Sequence, residues 1–202
     1  MAIEEPKYDV VLSEGPYEVR KYAPMLVAET WVDGDMDEAS NKGFRLIADF
    51  IFGNNQVADA TSEKIAMTAP VTVEPQSTKI AMTAPVTVEP QGGAAKADVN
   101  MQTATQWRIH FVMPSRYTLD NIPKPKNNAV RLKEIPSKTY VVLKYSGFNT
   151  VAKVQSKTQE ALEWATQKNL KIISGPQLSR YDPPWTLPMF RRNEIMVEVS
   201  YP

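Results

Sequence analysis

Along the chain the spacing of apolar residues switches between two and about 3.6, and the switches mark the elements. Tyr17 to Arg20 and Met25 to Val32 read as extended segments, separated by Tyr22-Ala23-Pro24. Asp35 and Glu38 then have the spacing of a capping box and introduce an amphipathic helix over residues 36–52. Phe44, Ile47 and Ile51 share its apolar face, widened by Leu46 and Phe50, and Gly53-Asn54-Asn55 ends it. Trp107, Ile109, Phe111 and Met113 alternate with Arg108, His110 and Val112, a strand that stops at Pro114. After a proline-punctuated stretch the same grammar restarts. Strands are predicted over residues 130–135 and 140–145, and a helix runs from Thr150 or Val151 to about Lys168. Val151, Val154, Thr158, Ala161, Leu162 and Ala165 form its apolar face. Leu170 to Ser174 is extended, and Ile195, Val197 and Val199 alternate in a last strand.

The succession strand-strand-helix-strand-strand thus occurs twice. It predicts an α+β protein of two pseudo-symmetric halves, with helices flanking one curled antiparallel sheet or distorted barrel. Residues 1–202 read as a single domain, long enough to bury a core. Within it a fifteen-residue block, residues 62–76, is followed at once by a near-copy, residues 77–91, with Glu63 replaced by Thr78. Two copies compete for one place in the sheet. The tether from the first helix reaches the first copy directly, so that copy is expected in the sheet and the second in an excursion.

Composition excludes more than it assigns. Lysine and arginine number 23, as do aspartate and glutamate, and no basic stripe is visible, so nucleic acid is not an expected partner. The chain has no cysteine and one histidine, which removes disulfides, thiolate sites and covalent haem attachment, and leaves no metal site of the usual kind. No integral membrane segment is expected, because no run nears the ~20 apolar residues a spanning helix needs. The N-terminus lacks a signal pattern, so a cytoplasmic location is expected, or an organellar one after removal of a transit peptide. No nucleophile elbow or phosphate loop is present, and no catalytic residue is assigned. His110 falls on the strand face opposite Trp107 and Phe111 and is expected to be half-exposed rather than a ligand.

Residues 174–194 read as a long loop rich in proline that carries Tyr181, Trp185, Leu187, Met189 and Phe190 and ends in Arg191-Arg192. Apolar side chains in such a loop close over either the core or a ligand. The arginines suit carboxylates, whether those of a ligand or the chain's own Asp182 and Glu194.

Four separated segments, Y-E-V-R-K-Y-A-P (17–24), K-I-A-M-T-A-P-V-T (64–72 and 79–87), W-R-I-H-F-V-M-P-S-R-Y-T-L (107–119) and Y-D-P-P-W-T-L-P-M-F-R-R-N-E (181–194), together resemble the SOUL haem-binding protein family. The resemblance implies non-covalent binding of haem or another tetrapyrrole, as carrier or buffer rather than enzyme, with any protein acceptor unidentified. It places the cleft between Phe44, Ile47 and Ile51 of the first helix and Tyr181, Trp185, Met189, Phe190, Arg191 and Arg192 of the loop. Some members carry a histidine after the arginine of the first segment, taken as the iron's ligand; here Lys21 stands there. Two rival readings remain. One is a small hydrolase or drug-binding module of the gyrase-inhibitor-like superfamily, using Glu194, Glu18 or Glu29 as a pocket carboxylate. The other is a scaffold whose cleft takes an apolar peptide.

Overall fold

A computed structural model describes residues 4–56, 64–65, 71–75, 104–182 and 185–201. In chain order the elements are β1 (Tyr8–Glu14), β2 (Tyr17–Tyr22), β3 (Met25–Asp33), α1 (Met36–Ile51), β4 (Asn55–Gln56), β5 (Val71–Pro75), β6 (Gln106–Val112), β7 (Lys124–Pro125), β8 (Arg131–Ile135), β9 (Lys138–Tyr145), α2 (Val151–Gln167), β10 (Lys171–Ile172), β11 (Gln177–Arg180) and β12 (Asn193–Ser200). The main sheet runs β1-β2-β9-β12-β11-β5-β6-β3-β8, with β10 paired to β12, while β4 and β7 form a separate ribbon. Each of these pairings is antiparallel. The sheet is open, with β1 and β8 at its edges, so of the two forms predicted the barrel is not the one adopted. Strands cross between the two halves of the sequence: β2 pairs with β9, and β8 with β3.

Both helices lie on one face. Asp35 caps α1 by accepting from the backbone N–H groups of Asp37 and Glu38, and Thr150 caps α2 through Lys153. Ala39, Ile47, Phe50 and Ile51 of α1 and Val154 and Ala161 of α2 share a core with Ile109, Phe111, Leu143, Leu178, Ile195 and Val197 of the strands. Gly43 lets α1 approach β6 closely, since a Cβ there would stand 2.7 Å from Ile109 Cγ1. Two residues assigned to apolar helix faces lie at their margins. Phe44 is 39% exposed, tilted against Phe111, and Val151 is 43% exposed; at the other end of α2, Trp164 packs against Val19, Val141 and Val199.

The opposite, helix-free face carries Tyr22, Tyr140, Val142 and Met196 in one cluster and Val27, Val112 and Ile135 in another. His110 belongs to this face, as alternation predicted, but it is 5% exposed rather than half-exposed. The cause is that this face is covered there: Pro6, Tyr22, Met25, Tyr140 and Met196 line the same recess as His110.

The strand between β6 and β11 comes from the first copy of the repeat, with Val71 opposite Phe111 and Arg180, and Thr72 opposite His110 and Ser179. The second copy lies outside the described residues. The predicted loop 174–194 is shorter than expected: β11 occupies Gln177–Arg180 and β12 begins at Asn193.

Candidate functional site

The chain between β11 and β12 is closed at its base by a buried ion network, and this is what positions everything it displays. Glu194 is fully buried and accepts four hydrogen bonds. Arg20 Nη1 and Nη2 reach its two oxygens at 2.9 and 3.0 Å, Tyr181 Oη donates at 2.8 Å, and Arg192 Nε donates at 2.9 Å. Arg20 is equally buried and continues outward, donating from Nε to Glu18 at 2.7 Å and from Nη1 to Tyr22 Oη at 3.0 Å. Lys144 closes on the other oxygen of Glu18. Arg192 also spans to Glu5, 3.0 Å away, and lies 3.8 Å over the Tyr181 ring. Cations and carboxylates alternate through the cluster, which is the condition for keeping charges out of water.

Electrostatics follow from this packing. Burial works against the charge of Arg20, but the oxygens of Tyr22 and Glu194 outweigh it and hold the guanidinium protonated. Burial pushes the Tyr22 phenol up to about 12, with Arg20 drawing it down and Glu194 adding to the rise. Burial and then Glu194 raise Tyr181 further, so it remains a hydrogen-bond donor. Burial tends to raise Glu18, but hydrogen bonds from Lys144 and Arg20 leave it below its ordinary value.

Backbone bonds complete the closure. Tyr181 N–H donates to Arg192 C=O at 3.2 Å, and Asp182 Oδ2 accepts from Arg192 N–H at 2.6 Å. Tyr181, Asp182, Arg192 and Glu194 of the C-terminal motif therefore all serve the base of one hairpin connection. Above it the chain turns through a short 3-10 segment, Pro188–Phe190, which accepts from Gly147 N–H through Pro188 C=O at 2.8 Å. Trp185 is 83% exposed, Leu187 58%, Met189 66% and Phe190 71%. Phe148, also exposed, belongs to the neighbouring β9–α2 connection, and exposed Val151 opens α2; Arg191 lies 5.5 Å over Phe148 while donating from Nε to Thr186 C=O at 2.7 Å.

The residues predicted to form one cleft thus separate into three groups. Trp185, Met189, Phe190 and Arg191 form an apolar surface edged by a guanidinium group. Tyr181 and Arg192 belong to the buried network, where Arg192 pairs with Glu194 and Glu5 rather than facing a ligand. Ile47 and Ile51 are wholly buried core residues, and Phe44 sits on Phe111 at the margin of α1. Arg180 Nη2, 3.4 Å from Asp37, ties the end of β11 to the first turn of α1. Sequence reasoning missed Arg20 and Tyr22 as partners of this site. The available signal was the alternation Glu18, Arg20, Tyr22, which puts an arginine in phase with a tyrosine on one strand face.

A tetrapyrrole asks for a flat apolar contact and for cations near its carboxylates. The exposed set at 185–190 presents apolar side chains, with Arg191 over Phe148 beside them. His110 is buried on β6, and Lys21 is exposed on β2.

The model of the family described as SOUL heme-binding protein matches residues 3–198 of the chain. No curated relative matches it. Among solved structures, the EcmrR C-terminal domain is similar, with a TM-score of 0.61 at 10% identity, covering 96% of this chain and 99% of that one. An uncharacterized conserved protein from Listeria innocua gives 0.57 at 12% identity, covering 91% and 92%. A hydrolase from Listeria innocua gives 0.53 at 12% identity, covering 94% of each chain. At such identities the likeness is one of fold.

Proposed function

We propose that this chain, which belongs to the SOUL haem-binding family, binds haem or another tetrapyrrole non-covalently on the Trp185–Phe190 surface, as a carrier or buffer. The observation that carries the reading is the apolar exposure of that turn on a base that is already tied. Isolated exposed apolar residues are ordinary; Trp185, Leu187, Met189 and Phe190 all exposed within one turn, with Arg191 over Phe148 beside it, call for a partner. Each such side chain contributes roughly 1.5–3 kcal/mol when a ligand buries it fully. Ordering a mobile loop normally offsets part of that gain. Here the Tyr181, Arg192 and Glu194 contacts fix both ends of the turn before any ligand arrives. In this reading Arg191 meets a propionate, and the macrocycle face supplies most of the affinity.

A hydrolytic role for a pocket carboxylate is less well supported. Glu194 already accepts four hydrogen bonds, Glu18 is held by Arg20 and Lys144, and Glu29 by Arg108, which donates from Nε at 2.6 Å. A general base needs an oxygen able to receive a proton from substrate. The test is a paired titration with haemin and with metal-free protoporphyrin, followed in the Soret band. Saturable binding of both, at similar affinity, is expected. Saturation by haemin alone would mean that the iron, not the macrocycle face, is recognised; binding of neither would remove the tetrapyrrole reading.

A further inference from the structure

The turn between β11 and β12 exposes more apolar surface than one flat ligand can cover. Trp185, Leu187, Met189 and Phe190 are all exposed, and Met189 and Phe190 are neighbours in the 3-10 segment. With three residues to a turn, neighbours in such a segment point about a third of a turn apart. A rigid plate touches part of such a set. A fluid apolar phase takes all of it.

Cations stand beside these side chains. Lys153 Nζ donates to Ser146 C=O at 2.7 Å and lies against Gly147, where an added Cβ would be 2.6 Å from it. Gly147 N–H in turn donates to Pro188 C=O, which puts this ammonium next to the turn. Arg191 lies over the exposed ring of Phe148. Neither residues 146–153 nor residues 185–191 contain an aspartate or a glutamate. The carboxylates at the base of the turn, Asp182, Glu194 and Glu5, are each engaged by Arg192. In a chain whose charges balance overall, this corner is locally positive and apolar together. The edge of an anionic bilayer selects that combination. Tryptophan settles at the headgroup level, leucine, methionine and phenylalanine enter the acyl boundary, and lysine and arginine pair with lipid phosphates.

We propose that the Trp185–Phe190 turn docks on anionic lipid surfaces, with Lys153 and Arg191 meeting the lipid phosphates. One turn and two cations make a reversible attachment, not an anchor. Docking needs no tetrapyrrole and stands apart from the reading above, though it gives a carrier of apolar ligands a place to load and discharge. The test mixes the intact, ligand-free chain with vesicles of phosphatidylcholine, alone or with an equal part of phosphatidylglycerol, and follows co-sedimentation and tryptophan emission. Trp185 is the most exposed of the four tryptophans, so anionic vesicles should shift emission to the blue and acyl-brominated lipid should quench it. Trp185→Phe should still co-sediment but lose the blue shift. Lys153→Gln and Arg191→Gln should each weaken co-sedimentation about fivefold, and added salt should act in the same direction. Three results overturn the proposal: no co-sedimentation with anionic vesicles, equal binding to neutral ones, or binding that leaves Trp185 unquenched. None of these bears on the porphyrin titration, so the two readings fall separately.

Discussion

Glu194→Gln is the sharpest perturbation of the buried network, because it removes a charge and almost preserves shape. Each oxygen of the parent carboxylate accepts two hydrogen bonds from Arg20, Arg192 and Tyr181. The amide oxygen can replace one of the two acceptors; the amide nitrogen would point its protons at guanidinium groups. Arg20, fully buried, would keep Glu18 as its anionic partner, whereas Arg192 can turn to solvent and Glu5. Removing one partner of a buried ion pair costs about 3–5 kcal/mol. That is a large part of the ~5–15 kcal/mol that typically separates folded from unfolded domains. Urea unfolding followed by tryptophan fluorescence should therefore show Glu194→Gln less stable by that amount, with an unchanged slope. Arg20→Met should also destabilise. Arg20→Met combined with Glu194→Leu should cost less than the sum of the two single changes by about 2 kcal/mol or more, since no uncompensated charge remains. A Glu194→Gln variant within about 0.5 kcal/mol of the parent, the range of ordinary surface changes, would refute the reasoning. So would strict additivity of the pair.

His110 sets a pH dependence. Its folded pKa lies well below the ordinary 6.5, so below pH 6.5 the unfolded chain binds a proton that the folded chain refuses, and stability falls as pH drops through that range. The slope approaches about 1.4 kcal/mol per pH unit for one proton. Chemical denaturation between pH 7.5 and 5 should show it, and His110→Phe should flatten it; equal slopes in the two proteins would contradict the assignment. Gly43→Ala, which by helix propensity alone would stabilise α1 by about 1 kcal/mol, should instead destabilise by about 1–3 kcal/mol, because the new methyl meets Ile109. A raised melting temperature would show that α1 can shift. Deletion of residues 77–91 should leave a folded chain, since Val71–Pro75 of the first copy already pairs with β6 and β11. Loss of cooperative unfolding in that deletion would show that the second copy is structural.

Much of the fold was legible because its signals are local. The alternation around Trp107 and around Ile195 located β6 and β12, and the Asp35 cap located α1. β1 was not found: it is an edge strand with Val10 and Val11 exposed, and a register shift between Val10 and Leu12 breaks its alternation. β11 was hidden for the opposite reason. Both of its faces are covered, so Gln177 and Ser179 are buried beside Leu178 and the binary pattern disappears. The apolar turn at 185–190 was visible in the sequence as composition. Its base was visible in part, since pairing of the arginines with Asp182 or Glu194 was one of the two readings and Arg192 makes it; the pairing of Glu194 with Arg20 was not, because 174 residues separate them and no spacing rule reaches that far. Ile47 and Ile51 have the apolar spacing of a cleft and of a core alike, and only packing distinguishes the two.

The central claim is that the Trp185–Phe190 turn is the tetrapyrrole surface, and one comparison tests it most directly. Metal-free protoporphyrin should be titrated into the parent chain, into a Trp185→Ala, Phe190→Ala variant, and into Ile47→Val as a core control. The two aromatic side chains are 83% and 71% exposed, so their removal should leave unfolding unchanged. At roughly 1.5–3 kcal/mol for each side chain that a ligand buries, partly offset by ordering, the double variant should lose at least tenfold in affinity. Ile47→Val should lose about 0.5–1.5 kcal/mol of stability and bind as the parent does. Binding undiminished in the double variant, or weakened equally by Ile47→Val, would contradict the account and move the site elsewhere.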